Sequence, residues 1–276
     1  MSTTVTYKGQ TLTTVENQTK TLNTAGTWVE GDFTLTDVTQ GGGGEWTTEG
    51  IANSTEPNGA IVVNTSFVKE GAFQYCTGIT SVDLQAGINC DKGNVFRGCT
   101  SLQTVTGSGY CRLIWWSDGF RDCTALKTVN LLNRGRVGGS SLFNNCTALE
   151  EFRAPYVMTQ ENGNEWYAND SQMPNSGFRG CTSLKLVDYG HAKGQFANCF
   201  INCTALRTLI LRRVDSVCEI NAWSANAMGG IYNNPTESTI YVPQALISSY
   251  QTATNWSTGY AAGLTFLPIE GSEYEL

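Results

Sequence analysis

Residues 118–131 read DGFRDCTALKTVNL, and the phrase inside them returns along the chain: a Phe, a Cys three residues on, then Thr, then Leu or Ile. It occurs as Phe73/Cys76/Ile79, Phe96/Cys99/Leu102, Phe120/Cys123/Leu126, Phe143/Cys146/Leu149, Phe178/Cys181/Leu184 and Phe200/Cys203/Leu206. Successive cysteines are 23, 24, 23, 35 and 22 residues apart. One apolar phrase per twenty-odd residues predicts a solenoid, in which each turn buries its apolar face against its neighbours.

Working outward from the Cys, the pattern continues as Leu-x-x-Val-x-Leu, as in Leu126/Val129/Leu131 and Leu206/Leu209/Leu211. The last two positions are two residues apart and so share one side of a short strand. Stacked turns then give a parallel sheet. Val82, Val105, Val129, Phe152, Val187 and Leu209 are expected inward; Asp83, Thr106, Asn130, Arg153, Asp188 and Ile210 are expected to line the exposed face. The Phe-x-x-Cys phrase falls on the opposite side of the turn, where a short helical or 3₁₀ segment is expected.

The 35-residue step is about 12 residues longer than the others, and the surplus lies between Tyr156 and Ser176. Insertions in a solenoid emerge as loops on one face. This one carries Trp166 and Tyr167 among polar residues. At the end of the chain, Ile240-Tyr241-Val242-Pro243 reads as a last strand, and Leu246, Ile247, Tyr250 and Ala253 recur at helical spacing, as a terminal cap requires.

The first 40 residues alternate apolar and polar positions around turn signals at Lys8-Gly9 and Gly31-Asp32, the pattern of a small β module. Gly41 to Gly44 follow, four residues with no side chain to pack, which read as a joint. The expected organisation is an N-terminal β anchoring module over 1–40, a Gly-rich linker over 41–50, a solenoid over 51–242 and a C-terminal cap over 243–276.

Charged residues are 15% of the chain and the formal net charge is -7, with no Lys/Arg cluster of the kind that neutralises a row of phosphates. Nucleic acid is not expected as a partner. Met1 to Gln10 lack the basic start and apolar core of a secretory signal, and no apolar run is long enough to span a membrane. Of ten cysteines, six occupy one equivalent position per turn, so their Cβ vectors run parallel up the stack. A disulfide needs two cysteines that face each other, so these are expected to be reduced and buried as small hydrophobes.

These phrases resemble the BspA-like class of leucine-rich repeats, with turns of the form F-x-x-C-x-x-L-x-x-V-x-L. The resemblance extends over about residues 61–270, including the closing stretch with IYVP, the helix around Tyr250, Trp256 and Leu267-Pro268-Ile269. It implies a mainly β solenoid with short helices, used elsewhere for adhesion and recognition. Residues 5–38, VTYKGQTLTTVENQTKTLNTAGTWVEGDFTLTDV, resemble a different unit, the short module opening many tail and other virion proteins of phages and prophages from gut bacteria. The matching residues are Thr19 to Leu22, Thr24-Ala25-Gly26 and Gly31-Asp32-Phe33; Trp28 and Phe33 depart from the usual residues. That resemblance implies a virion setting, with a homo-oligomer bound to other virion proteins and a solenoid displayed toward a bacterial or mucosal surface. The alternative is a bacterial cell-surface adhesin.

No catalytic, cofactor or metal site is expected. His191 is the single histidine and has no acid or nucleophile at an informative spacing. Cys199 and Cys203 lack the second pair of ligands a zinc site needs. The turns Asn89-Cys90-Asp91 and Asn169-Asp170 contain no calcium-loop pattern, and Glu150-Glu151 reads as a solvated strand edge and Glu161/Glu165 as a polar loop. The candidate binding residues are aromatic or on the exposed strand row: Trp115, Trp116, Trp166 and Tyr167, with Asp83, Thr106, Asn130, Arg153 and Asp188. Indole rings stack on sugars and fill interface pockets, so a surface glycan or a protein is the expected ligand. A purely packed or solvated role is the competing reading.

Overall fold

The computed structural model describes five strands by their backbone within residues 3–36. From residue 59 to 276 it describes all residues except 65, 66, 69, 72, 85–88, 91, 92, 108–110, 114–116, 132–134, 138, 139, 154–157, 160–164, 167–175, 191–194, 197 and 221–227. The joint expected at Gly41 to Gly44 lies outside the described residues.

Nine strands stack in parallel in sequence order: Gly59–Asn64, Ile79–Leu84, Thr104–Thr106, Thr128–Asn130, Glu151–Arg153, Leu186–Asp188, Thr208–Ile210, Thr239–Val242 and Thr265–Pro268. In-register pairing aligns Ile61, Val82, Val105, Val129, Phe152, Val187, Leu209, Ile240 and Phe266 in one row. All nine are buried. The inward set read from the sequence is therefore the core face of the sheet, and the fold is a leucine-rich-repeat solenoid. One detail is corrected. Thr239–Val242 is followed by a further strand, Thr265–Pro268, because the cap helices return the chain to the sheet edge.

The Phe-x-x-Cys segments face this row from the other side, and they are tight turns where a short helix was expected. Two residues per turn take positive φ. The one before the Phe-containing pair is Gly71, Asn94, Asp118, Ser141, Ser176 or Asn198, and the one just before the Cys is Tyr75, Gly98, Asp122, Asn145, Gly180 or Asn202. Such residues break any helical run, and Gly, Asn and Asp tolerate this conformation best. At Gly98 a side chain is excluded on contact grounds too, since a Cβ there would lie 2.3 Å from the Tyr75 ring.

What the left-handed residues achieve is a second ladder. Phe73, Phe96, Phe120, Phe143 and Phe178 each donate their backbone N–H to a carbonyl of the next turn, at 2.8–3.0 Å. The rings stack directly, with centroids 4.9 Å apart for Phe73/Phe96 and 5.4 Å for Phe96/Phe120, inclined by 2° in both cases. Each fully buried ring contributes roughly 1.5–3 kcal/mol by leaving water. Each Phe carbonyl also has two donors. Phe120, for example, accepts the N–H of Cys123 in its own turn at 3.2 Å and the thiol of Cys146 in the next at 3.1 Å. The same thiol bond joins Cys99 to Phe73, Cys123 to Phe96, Cys181 to Phe143 and Cys203 to Phe178. The six repeat cysteines are free and buried, and five of them are also hydrogen-bond donors along the stack.

Both ends of the sheet are covered. Phe33–Thr36 pairs in parallel with Gly59–Asn64, and Lys20–Leu22 and Trp28–Glu30 continue beyond it, so strands from the first 40 residues extend the repeat sheet. Thr3–Tyr7 and Gln10–Thr14 form a separate antiparallel pair. At the other end, helices Ile247–Thr252 and Trp256–Ala261 place the fully buried Tyr250 and Trp256 against Phe266. The Tyr250 hydroxyl accepts the Cys218 N–H and the Trp256 indole donates to the Cys218 carbonyl, tying the cap to the last turn.

Candidate functional site

The outer face of the sheet carries two rows of side chains, either side of each buried central residue. One row runs Ser81, Thr104, Thr128, Glu151, Leu186, Thr208 and Thr239; the other runs Asp83, Thr106, Asn130, Arg153, Asp188, Ile210 and Tyr241. The two rows change character midway. From Ser81 to Arg153 every member is polar or charged, and from Leu186 onward apolar residues enter.

In the first half, the Thr106 hydroxyl donates to the Asp83 carboxylate at 3.1 Å, linking adjacent strands. Beside them lies an open depression of about 470 Å³ lined by Lys127, Thr128, Val129, Asn130, Glu150, Glu151 and Arg153. Its rim holds ion pairs. Lys185 contacts Glu150 at 2.6 Å, which lowers the Glu150 pKa and raises that of Lys185, and Arg153 contacts Glu151 at 3.4 Å. Both pairs are exposed, so each adds little to stability. Asn130 differs: its side-chain oxygen Oδ1 is buried and accepts no hydrogen bond among the described residues. A buried acceptor left empty is costly.

In the second half the exposed row expected from the sequence is corrected. Asp188 and Ile210 are 6% and 0% exposed. Arg212 holds Asp188 through two guanidinium nitrogens, and the Gly190 N–H also donates to the carboxylate at 3.1 Å. Ile210 lies with Leu186 and Ile269 in a small apolar cluster, against which Tyr241 and Tyr274 pack. The chain after the last strand thus turns back over the outer face. It ends its crossing at Arg153, whose guanidinium sits 5.9 Å from the Tyr274 ring. Strand alternation places a residue outward; it does not reveal that a distant tail covers it.

Of the aromatic candidates, Trp115, Trp116 and Tyr167 lie outside the described residues, as do the side chain of Trp166 and residues His191 and Glu161. The backbone places Trp166 in strand Glu165–Trp166, antiparallel to Met158–Thr159 with Trp166 opposite Met158. The long insertion therefore carries a hairpin on the side where other turns form parallel pairs, such as Cys111–Leu113 with Gly135–Val137. Burial pushes the Cys199 thiol up to about 12 and raises that of Cys203, away from the thiolate that binds metal. Among the described residues no three His, Cys, Asp or Glu side chains gather as metal ligands, and no helix is long and apolar enough to cross a membrane. Asn130 was read as one member of a polar row; its unsatisfied oxygen has no signal in the sequence.

Residues 58–173 match, in six copies, the family model of the BspA type leucine rich repeat region. The same turns continue past that stretch at Phe178 and Phe200. Among solved structures, the chain is similar to a leucine-rich repeat protein from Bacteroides ovatus, at 23% identity and a TM-score of 0.44 over 55% of this chain and 37% of that one. It therefore spans little more than a third of that protein's length. It is also similar to the T. pallidum leucine rich repeat protein (15% identity, TM-score 0.41, 75% of this chain and 85% of that one). A leucine rich cell surface protein from Faecalibacterium prausnitzii aligns at 13% identity and a TM-score of 0.23, over 94% of this chain and 95% of that one. No curated protein matches the chain.

Proposed function

We propose that this protein is a non-enzymatic recognition protein of a bacterial surface, which binds a protein or glycan on the open half of its outer sheet face. The observation that carries the reading is the open depression on the sheet face, lined by Lys127, Thr128, Asn130, Glu150, Glu151 and Arg153 on a rigid ladder. Thr106, Asn130 and Arg153 are the strand residues assigned to the contact, with Asp83 at its edge. Trp166 and Tyr167 on the inserted segment, and Trp115-Trp116, are proposed as additional aromatic contacts. Binding of the fluorescently labelled full chain to bacterial cells, and to protein and glycan arrays, tests this. Asn130→Ala and Arg153→Ala should each weaken binding by about tenfold, the scale of a well-placed contact, while Arg179→Ala on the Phe-Cys side should not. Equal binding by all three variants would remove the site from this face.

A second reading is favoured by the resemblance of residues 5–38 to virion modules. In it, residues 1–40 attach the protein to a phage particle, the linker over 41–50 follows, and many displayed copies add weak contacts through multivalency. Fractionation of the native source separates the two readings. Recovery with particles, lost on deleting residues 1–40, supports the virion setting, and recovery only with cell envelopes supports the adhesin.

A further inference from the structure

The half of the outer face beyond Arg153 is already occupied, and its occupant is the chain's own C-terminal segment. Ile269 packs on Leu186 and Ile210. The Glu270 carboxylate accepts the Gln244 N–H at 2.9 Å, and Tyr274 meets Tyr241 edge-on with ring centroids 4.6 Å apart. Arg153 stands between this seated segment and the empty depression, touching Tyr274 on one side and lining the depression on the other. The covered and open halves are one continuous surface. Its covered half shows which chemistry it holds: a tyrosine beside a guanidinium, on a segment that carries Glu270, Glu273 and Glu275.

We propose that the outer face is a groove for a tyrosine-bearing peptide segment of a partner protein, and that residues 269–274 occupy part of that groove in cis and compete with the partner. A peptide suits both halves. Its tyrosine takes the place of Tyr274 between Tyr241 and Arg153, an arrangement that combines an aromatic pair with a cation over a ring. Its continuation runs into the depression, where Thr128 and Asn130 are among the lining residues. The tethered tail acts at high effective concentration, so the full chain binds such a peptide weakly until the tail is displaced.

This inference rests on the sheet-face reading above, and its test can fail separately. A fluorescein-labelled peptide with the sequence of residues 268–276, PIEGSEYEL, serves as the probe in fluorescence anisotropy with the full-length protein. Tyr274→Ala in the protein should tighten probe binding by about tenfold, the gain from removing an intramolecular competitor. Adding Arg153→Ala should abolish that gain, and a probe with Ala in place of its Tyr should bind neither protein. Independently of any variant, excess probe should speed amide hydrogen exchange over residues 270–275 of the wild-type chain. The proposal is overturned if the Ala probe binds as well as the Tyr probe, if Arg153→Ala has no effect, or if exchange over the tail is unchanged at saturating probe. Should that happen while cells or arrays are still bound through Asn130, the tail competition is wrong and the recognition face stands. Loss of both overturns both.

Discussion

Arg212 reaches across one repeat to grip Asp188, with Nε 3.0 Å and Nη2 2.8 Å from the same carboxylate oxygen, and both side chains are under a tenth exposed. A buried pair of this kind is costly to break from one side, because the survivor remains charged and out of water. Arg212→Ala is expected to destabilise the fold by about 3–5 kcal/mol. The double variant Asp188→Leu/Arg212→Met should recover most of the loss. Urea denaturation of the wild type, Arg212→Ala and the double variant decides it, and a double variant no more stable than Arg212→Ala would show that the uncompensated charge is not the cause of the loss.

The ring column gives a second test. Phe120 lies between Phe96 and Phe143, at centroid distances of 5.4 and 5.5 Å, with no exposed surface. Phe120→Ala should cost about 3–5 kcal/mol, the usual range for emptying an aromatic core position. An unchanged denaturation midpoint would contradict the stack.

Asn145 tests the left-handed turn. Its φ is 63° and its amide donates to Asp122 at 3.1 Å. Asn145→Ala puts an ordinary side chain into that conformation, at a cost of about 1–2 kcal/mol. Asn145→Gly should be the more stable of the two variants, the reverse of their order in a helix. Melting temperatures of the pair suffice, and Ala equal to Gly would rule out conformational strain.

The thiol column predicts a pH response. Burial pushes the Cys76 and Cys199 thiols up to about 12 from an ordinary 9.0, and Cys99, Cys146 and Cys203 are raised as well. Between those values the unfolded chain has lost the proton and the folded chain keeps it, so stability falls as pH rises. It is fully present below pH 9.0 and declines toward about 12, by about 1.4 kcal/mol per pH unit for each such thiol. Thermal melts from pH 7 upward should be flat until about pH 9 and then drop. In the same range, Ellman's reagent should label these thiols only after unfolding. Rapid labelling of the native protein at pH 8 would disprove their burial.

Residues 1–40 supply the strand Phe33–Thr36 that covers the edge of Gly59–Asn64, whose Ile61 and Val63 lie in the core. Deleting them should leave the repeats folded but lower the melting temperature by several degrees, since about 1 kcal/mol is worth roughly 2–4 °C in a chain of this size. A truncated protein that melts unchanged would show that these strands add nothing to the stack.

The sequence alone determined the repeat. The spacing of Phe, Cys and Leu identifies the turns, and the two-residue alternation around Val129 sorts inward from outward residues, because both follow from local backbone periodicity. The same logic placed Thr106, Asn130 and Arg153 on the outer face, where the structure has them. Tertiary structure decided what periodicity cannot express. The carbonyl that receives the Cys146 thiol belongs to Phe120, 26 residues away, and although five of the six residues before the Cys are Gly, Asn or Asp, only the structure shows that they share a left-handed conformation with Tyr75. The burial of Asp188 and Ile210 likewise depends on Arg212, Ile269 and Tyr274, which reach them only because the cap returns the chain across the sheet. Local preferences fix which way a strand residue points, and long-range packing fixes what it meets there.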